Sequence, residues 1–252
     1  MTYKRLQLIK TGKIAEINLC ANHFDKLMIS EMHQALEFIS DETDIRFLII
    51  SGRDGVFSKG INFHKFFNAK MVNVADFNRW EKLTYFVQNL NVVTIALIDG
   101  VCNGAGIQLA LACDLRIASK ESVFSHDEID HGFLPGSYVM QLGKYCGIGR
   151  IHELLQSGCS YTAEQAKEMG VINDAVDDLS LAMELRIEQY SKLNIRLHNL
   201  TRRLVREAFE MPYNDFLGCC QAAQHQAIVN NKDELHGISN SDEESREVIR
   251  VI

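Results

Sequence analysis

The residues best suited to chemistry lie between Thr94 and Pro135. An apolar run, TIALID, breaks at Gly100 into VCNGAGIQLALACD, and the polar cluster Ser125-His126-Asp127-Glu128-Ile129-Asp130-His131 follows. Small residues at a helix start present backbone N–H groups with no intrahelical acceptor, and such donors stabilise negative charge developing on a nearby oxygen. Glu128, close behind in sequence, offers a carboxylate for proton transfer. Two plainer readings stand beside this one. Gly104-Ala105-Gly106 also suits close helix-to-sheet packing, and the acidic cluster also suits a solvated loop.

Other chemistries fit these residues less well. A dinucleotide fingerprint of the form G-x-G-x-x-G needs a glycine where Leu109 stands, and no Walker-type lysine follows. His126-x-Glu128-x-x-His131 is one residue longer than the helical zinc motif, which puts its two histidines off a common helical face, so no metal site is expected. No G-x-S-x-G nucleophile elbow is present.

These residues need a frame. Short β-branched runs at Ile14–Leu19, Arg46–Ser51 and Thr94–Asp99 alternate with helix-period segments at Leu27–Ile39 and Phe77–Leu90, the rhythm of an α/β fold built from βα units. Gly106, Leu109, Ala110 and Cys113 fall at i, i+3, i+4 and i+7, a narrow face of small residues that can sit tightly on a sheet. The segment from Phe57 to Phe77 holds neither period and reads as a loop and short helix near the site. Further on, LRIAS reads as a strand, Pro135-Gly136 opens a helix over Tyr138–Tyr145, and another helix spans Ile151–Ser157 up to Gly158. Thr162, Gln165 and Gly170 mark a short capped helix before a strand, VINDAV. From Leu179 the pattern is helical, with breaks near Asn194, Pro212 and Gly237.

The chain has 252 residues, 46% of them hydrophobic, enough for one substantial core. Its net charge of −7 is dispersed over many Asp and Glu residues, which gives no broad nucleic-acid footprint. Seven cysteines with no C-x-x-C spacing read as reduced thiols. No run approaches the roughly 18 apolar residues of a membrane span, and the N-terminus lacks an apolar signal core, so a soluble, cytoplasmic protein is expected.

The runs IALIDGVCNGAGIQLALACDLRIAS, FSHDEIDHGFLPG, SGCSYTAEQAKEMGVINDAV and DIRFLIISGRDGVFSKGINFHKF, in their separate places, resemble the enoyl-CoA hydratase/isomerase, or crotonase, superfamily. The resemblance covers roughly residues 3 to 210. It implies a crotonase-like spiral of repeated ββα units over residues 1–195, and a helical region over 196–252 that joins subunits into a homotrimer or homohexamer. It also implies an acyl thioester substrate, carried by CoA or by the phosphopantetheine arm of a carrier protein, in fatty acid or polyketide metabolism, with no permanently bound cofactor. By position, the backbone N–H groups of Ile61 and Ala105 would form the oxyanion hole, and Glu128 would be the catalytic acid/base.

The chain departs from the family pattern at Gln108, where two-carboxylate hydratases carry their other glutamate. An amide can orient water but does not exchange protons at ordinary pH. Asn62 replaces a common aspartate, and the loop CANHFDK is shorter than usual. Asn62, Gln108, His131 and Gly136 are candidates for the substrate pocket. A second acid could come from Asp127, Asp130, His131, His64 or Tyr138, each of which also fits a structural role. The expected reaction is double-bond isomerisation or hydration through an enolate, with decarboxylation of an acyl thioester or noncatalytic thioester binding as alternatives.

Overall fold

The computed structural model describes residues 3–63 and 74–230. Part of the loop expected between Phe57 and Phe77, with His64 in it, lies outside these residues, as does the break expected at Gly237.

The chain opens with an antiparallel pair, β1 (Leu6–Thr11) and β2 (Ile14–Leu19), and then α1 (Lys26–Asp41). Asp25 caps α1, its carboxylate accepting from the Met28 N–H at 2.9 Å. Met28, Met32, Ala35, Leu36 and Ile39 form the buried stripe that holds the helix to the sheet.

A repeated unit then builds the core. β3 (Phe47–Ser51) leads to the short β4 (Val56–Ser58) and on to α2 (Val74–Asn89). Next, β5 (Val93–Ile98) leads to β6 (Val101–Asn103) and α3 (Ala105–Leu111). Last, β7 (Leu115–Ser119) leads to β8 (Val123–Ser125) and a 3₁₀ turn, Ile129–His131. The long strands of successive units pair in parallel within a six-stranded sheet, and the short strands pair in parallel within a four-stranded one. Each turn of the spiral therefore adds one strand to each sheet.

The corners between long and short strands stack on one another. The Val101 N–H donates to the Gly55 carbonyl at 3.0 Å, and the Val123 N–H donates to the Gly100 carbonyl at 3.1 Å. Gly100 has φ +67°, and a Cβ there would lie 1.8 Å from the Gly55 oxygen. Only glycine satisfies both constraints at this corner.

After the spiral come α4 (Tyr138–Cys146), α5 (Ile148–Ser157), β9 (Tyr161–Thr162), α6 (Ala163–Glu168), β10 (Asp174–Val176) and α7 (Leu179–Ser191). Thr162 and Gln165 form the expected reciprocal cap of α6. The expected strand VINDAV shrinks to its last three residues. The N–H groups of Val171 and Ile172 go instead to the Ala166 carbonyl, closing the end of α6, while both side chains are buried. Likewise α5 begins at Ile148, three residues ahead of the expected start, because Gly147 ends α4 and α5 begins immediately after it. The face expected to be narrow on α3 is in fact the whole helix, since all seven of its residues are buried.

The described residues divide into two compact units, one through Lys192 and the other from Leu193. The second contains α8 (Ile195–Glu207) and α9 (Tyr213–Asn230), with Asn194 capping α8 through the Arg196 and Leu197 N–H groups. All seven cysteines are free. Among the described residues no helix is long and apolar enough to cross a membrane, and no cluster of His, Cys, Asp and Glu could hold a metal ion.

Candidate active site

Two backbone segments meet at the start of α3. Ala105 is its first residue, so the Ala105 N–H has no partner one turn earlier in the helix. Gly104 ahead of it is held in place by a 3.0 Å bond from its N–H to the Ser125 carbonyl. The second segment is Gly60-Ile61-Asn62. It bridges to Phe24, whose N–H donates to the Gly60 carbonyl, while the Asn62 N–H donates to the Phe24 carbonyl, both at 2.9 Å. In a parallel bridge of this kind the middle residue turns its own N–H to the opposite side, and here that residue is Ile61. Gly60 closes the gap: a Cβ on it would lie 3.7 Å from the Ala105 nitrogen. Asn62 is thus fixed through its main chain.

Glu128 lies against this junction. At Gly104, with φ +47°, a Cβ would sit 2.8 Å from Glu128 Oε1 and 3.5 Å from Oε2. The carboxylate therefore occupies the space a side chain would need. Glu128 is buried, and Oε1 accepts from the Tyr138 hydroxyl at 2.9 Å. Burial pushes its pKa above the ordinary carboxylate value. Its backbone N–H and the Tyr138 hydroxyl pull it back, the negative charge of Asp127 raises it again, and His131 lowers it.

Gln108, three residues along α3 from Ala105, makes the second wall. The indole N–H of Trp80 donates to its Oε1 at 2.7 Å, and its Nε2 donates to Glu81 Oε2 at 2.8 Å. Indole is a donor only and a carboxylate facing an amide accepts, so these two partners fix which end of the amide is oxygen. Glu81 also accepts from the Ser137 N–H at 3.1 Å and from the Ser137 hydroxyl. Gly136 leaves room for this closure, because a Cβ there would be 2.6 Å from Glu81 Oε1 and 2.8 Å from Gln108 Oε1.

The structure brings Ala105, Gly60-Ile61, Glu128 and the Gln108–Gly136 contact to one region, and it sets His131 at the edge. The His131 side chain is 52% exposed, 3.8 Å from Asp127 Oδ2 and beside the Phe63 ring, which itself stacks on Phe133 at 4.1 Å. Tyr138, weighed above as a second acid, is deeply buried, and burial raises its phenol pKa well above the ordinary value. It keeps its proton and donates it to Glu128. Trp80, Glu81, Ser137 and Tyr161 were not singled out from sequence as parts of this site, and His126 was noted only within its ionisable cluster and as a metal ligand. The one available signal was that the chain's single tryptophan stands next to a glutamate.

Backbone donors beside a buried, raised carboxylate can hold an enolate and move protons to and from its carbon atoms. Residues 12–236 match the family model for enoyl-CoA hydratase/isomerase. The chain belongs to that family. It is 25% identical over 245 residues to the crotonyl-CoA hydratase of Syntrophomonas wolfei, covering 90% of this chain and 93% of that one. It is 34% identical over 158 residues to the mitochondrial enoyl-CoA hydratase domain-containing protein 2 of mouse, covering 62% of this chain and about half (53%) of the mouse protein. The fold matches that of enoyl-CoA hydratase from Bacillus anthracis with a TM-score of 0.83 at 24% identity, over 94% of this chain and 95% of that one. It also matches a Thermobifida fusca protein solved in complex with acetoacetyl-CoA, with a TM-score of 0.81 at 22% identity, over 90% and 95% of the two chains. These structures establish the crotonase-type spiral with its C-terminal helices.

Proposed function

We propose that this protein is an enzyme that moves a proton between carbon atoms of an enoyl thioester, shifting its double bond. The thioester carbonyl accepts from the N–H groups of Ile61 and Ala105. Glu128 removes a proton from C2, the C–H electron pair passes into the enolate on the carbonyl oxygen, and Glu128 returns the proton at C4. The supporting observation is the asymmetry of the two walls: Glu128 is a buried carboxylate with a raised pKa, whereas Gln108 is an amide tied at both ends. One proton-exchanging group suffices for isomerisation. Hydration, which the names of the relatives favour, would need Glu128 to serve both the attacking water and C2.

The acyl carrier is CoA or a carrier-protein arm and enters as part of the substrate. The Thermobifida fusca complex supports CoA. Exposed apolar residues of the second unit, including Leu197, Val205 and Phe209, support self-association into a trimer or hexamer.

The test is conversion of 3-hexenoyl-CoA to its 2-enoyl isomer, run beside hydration of crotonyl-CoA and solvent-deuterium exchange at C2 and C4. Glu128→Gln is expected to lower isomerisation by about 10²- to 10⁴-fold. Because Glu128 must be ionised to act as base, activity is lost as pH falls through a pKa raised above the ordinary carboxylate range. Wild-type turnover by the Glu128→Gln variant would overturn the mechanism. Fast hydration without isomerisation would replace the reaction but keep the residue's role.

A further inference from the structure

The Glu128 carboxylate is the end of a line of hydrogen bonds that runs inward through three buried rings. Tyr138 donates to Glu128 Oε1 at 2.9 Å, the Tyr138 oxygen lies 3.1 Å from His126 Nδ1, and His126 Nε2 lies 3.0 Å from the Tyr161 oxygen. Tyr138 and His126 are each 1% exposed and Tyr161 is 5% exposed. The imidazole is stacked between the phenols, with ring centres 5.7 Å apart on either side.

Proton counting gives this line a direction. An ionised carboxylate only accepts, so the one hydroxyl proton of Tyr138 is committed to Glu128. The Tyr138 oxygen must then accept from His126, which places the ring proton on Nδ1. Burial lowers the His126 pKa to about 4, so the ring is neutral and Nε2 carries a lone pair. Tyr161 donates to it. Every donor points the same way, from Tyr161 through His126 and Tyr138 to Glu128, and each buried polar atom along the line is satisfied.

We infer that Tyr138, His126 and Tyr161 are positioning residues that commit Oε1 of Glu128 to the protein and leave Oε2 as the oxygen that exchanges protons with substrate. The inference rests on Glu128 being the acid/base group proposed above. Among the described residues the side-chain donor to this carboxylate is Tyr138, which meets Oε1, and Oε2 is the oxygen farther from where a Gly104 Cβ would stand. A chain of neutral dipoles aimed at Oε1 favours the ionised form and so opposes burial, keeping the base usable nearer neutrality. The other titratable groups facing Glu128 are its loop neighbours Asp127 and His131, which act in opposite senses.

Three variants and one measurement on the wild-type protein test this, with 3-hexenoyl-CoA as the probe substrate. Tyr138→Phe keeps the ring and removes the donor. It is expected to lower kcat by roughly tenfold to a hundredfold with little change in KM, and to move the acidic limb of the pH profile to higher pH. His126→Asn retains an N–H donor near the position of Nδ1 and is expected to keep most of the wild-type kcat, whereas His126→Leu is expected to lose it as Tyr138→Phe does. A Tyr138→Phe protein with the wild-type kcat and pH limb, or equal behaviour of the two His126 variants, would overturn the inference. The ¹⁵N resonances of His126 in the unmodified protein decide independently of folding or turnover: a proton on Nδ1 supports the relay and a proton on Nε2 removes it. If Glu128→Gln is inactive while Tyr138→Phe is normal, the relay alone fails. If Glu128→Gln is active, the mechanism beneath it fails.

Discussion

The two walls of the site are built from the same materials and held in opposite ways. Glu128 follows a short strand, is buried against Gly104, and has one oxygen tethered by Tyr138. Gln108 is in the middle of a fully buried helix, and both ends of its amide are tethered, one by Trp80 and one by Glu81. The first wall ionises and has an oxygen to spare. The second neither ionises nor swings, and its carboxylate neighbour Glu81 is engaged with the start of α4 through Ser137. In the proposed mechanism, proton exchange belongs to one wall and shape to the other.

The largest expected effects fall on the Glu128 wall. Beside the loss expected for Glu128→Gln, Gly104→Ala should be nearly as damaging although it changes no ionisable group. Its Cβ would meet Oε1 at 2.8 Å on a backbone with φ +47°, so either the carboxylate or the donor turn must move. A displacement of this order costs about 10²-fold in rate. Stability should separate the two variants. The raised pKa of Glu128 means that folding favours its neutral form, so its contribution is fully present below the unfolded-state pKa and lost as pH rises through the folded one. Glu128→Gln should therefore be at least as stable as wild type at neutral pH, and Gly104→Ala less stable. Denaturant titration of both at pH 7 checks this, and equal destabilisation would break the contrast.

The Glu128 wall was readable in the sequence because each of its parts carries its own signal: a glycine-rich turn at a helix start and, 23 residues after Ala105, a carboxylate within a cluster of ionisable residues. The long strands were readable too. Ile14–Leu19 and Phe47–Ser51 each carry two isoleucines within a short apolar run and so declare themselves. The three-residue strands β4, β6 and β8 are too short to show a period, and their pairing depends on the corners at Gly55 and Gly100, which are joined only in space. The Gln108 wall was hidden for the same reason. Trp80 and Glu81 stand 28 and 27 residues away on another helix, and nothing local to Gln108 indicates that its amide is occupied. The inward face of Tyr138 was also hidden, since a tyrosine at a helix start gives no sign of whether it faces solvent or a buried histidine.

A smaller effect is expected from converting the second wall into the first. Gln108→Glu restores a carboxylate at the position where two-acid hydratases carry one, but it removes the amide donor and sets two carboxylates facing each other where a 2.8 Å hydrogen bond had been. It should destabilise the fold by about 1–3 kcal/mol and raise hydration of crotonyl-CoA little, if at all. Adding Glu81→Gln restores a donor across the contact and should recover most of the stability. Hydration that rises in the double variant but not in the single one would show that Glu81 prevents a second acid from working there. Full stability of the single variant would show that the Glu81 contact contributes little.

The smallest change in turnover should come from Trp80→Phe, which probes the tether itself. The ring stays packed beside Phe24, whose centre is 4.5 Å away, and the chief loss is the indole N–H to Gln108 Oε1. The buried amide oxygen is then left without its donor, at a cost of about 1–3 kcal/mol. Because Gln108 carries no proton in the proposed reaction, isomerisation should fall only a few-fold, and the pH profile, set by Glu128, should not move. A shifted acidic limb in Trp80→Phe would mean that the two walls are electrostatically coupled. An unchanged limb alongside a lower unfolding midpoint would confine Gln108 to shaping the pocket.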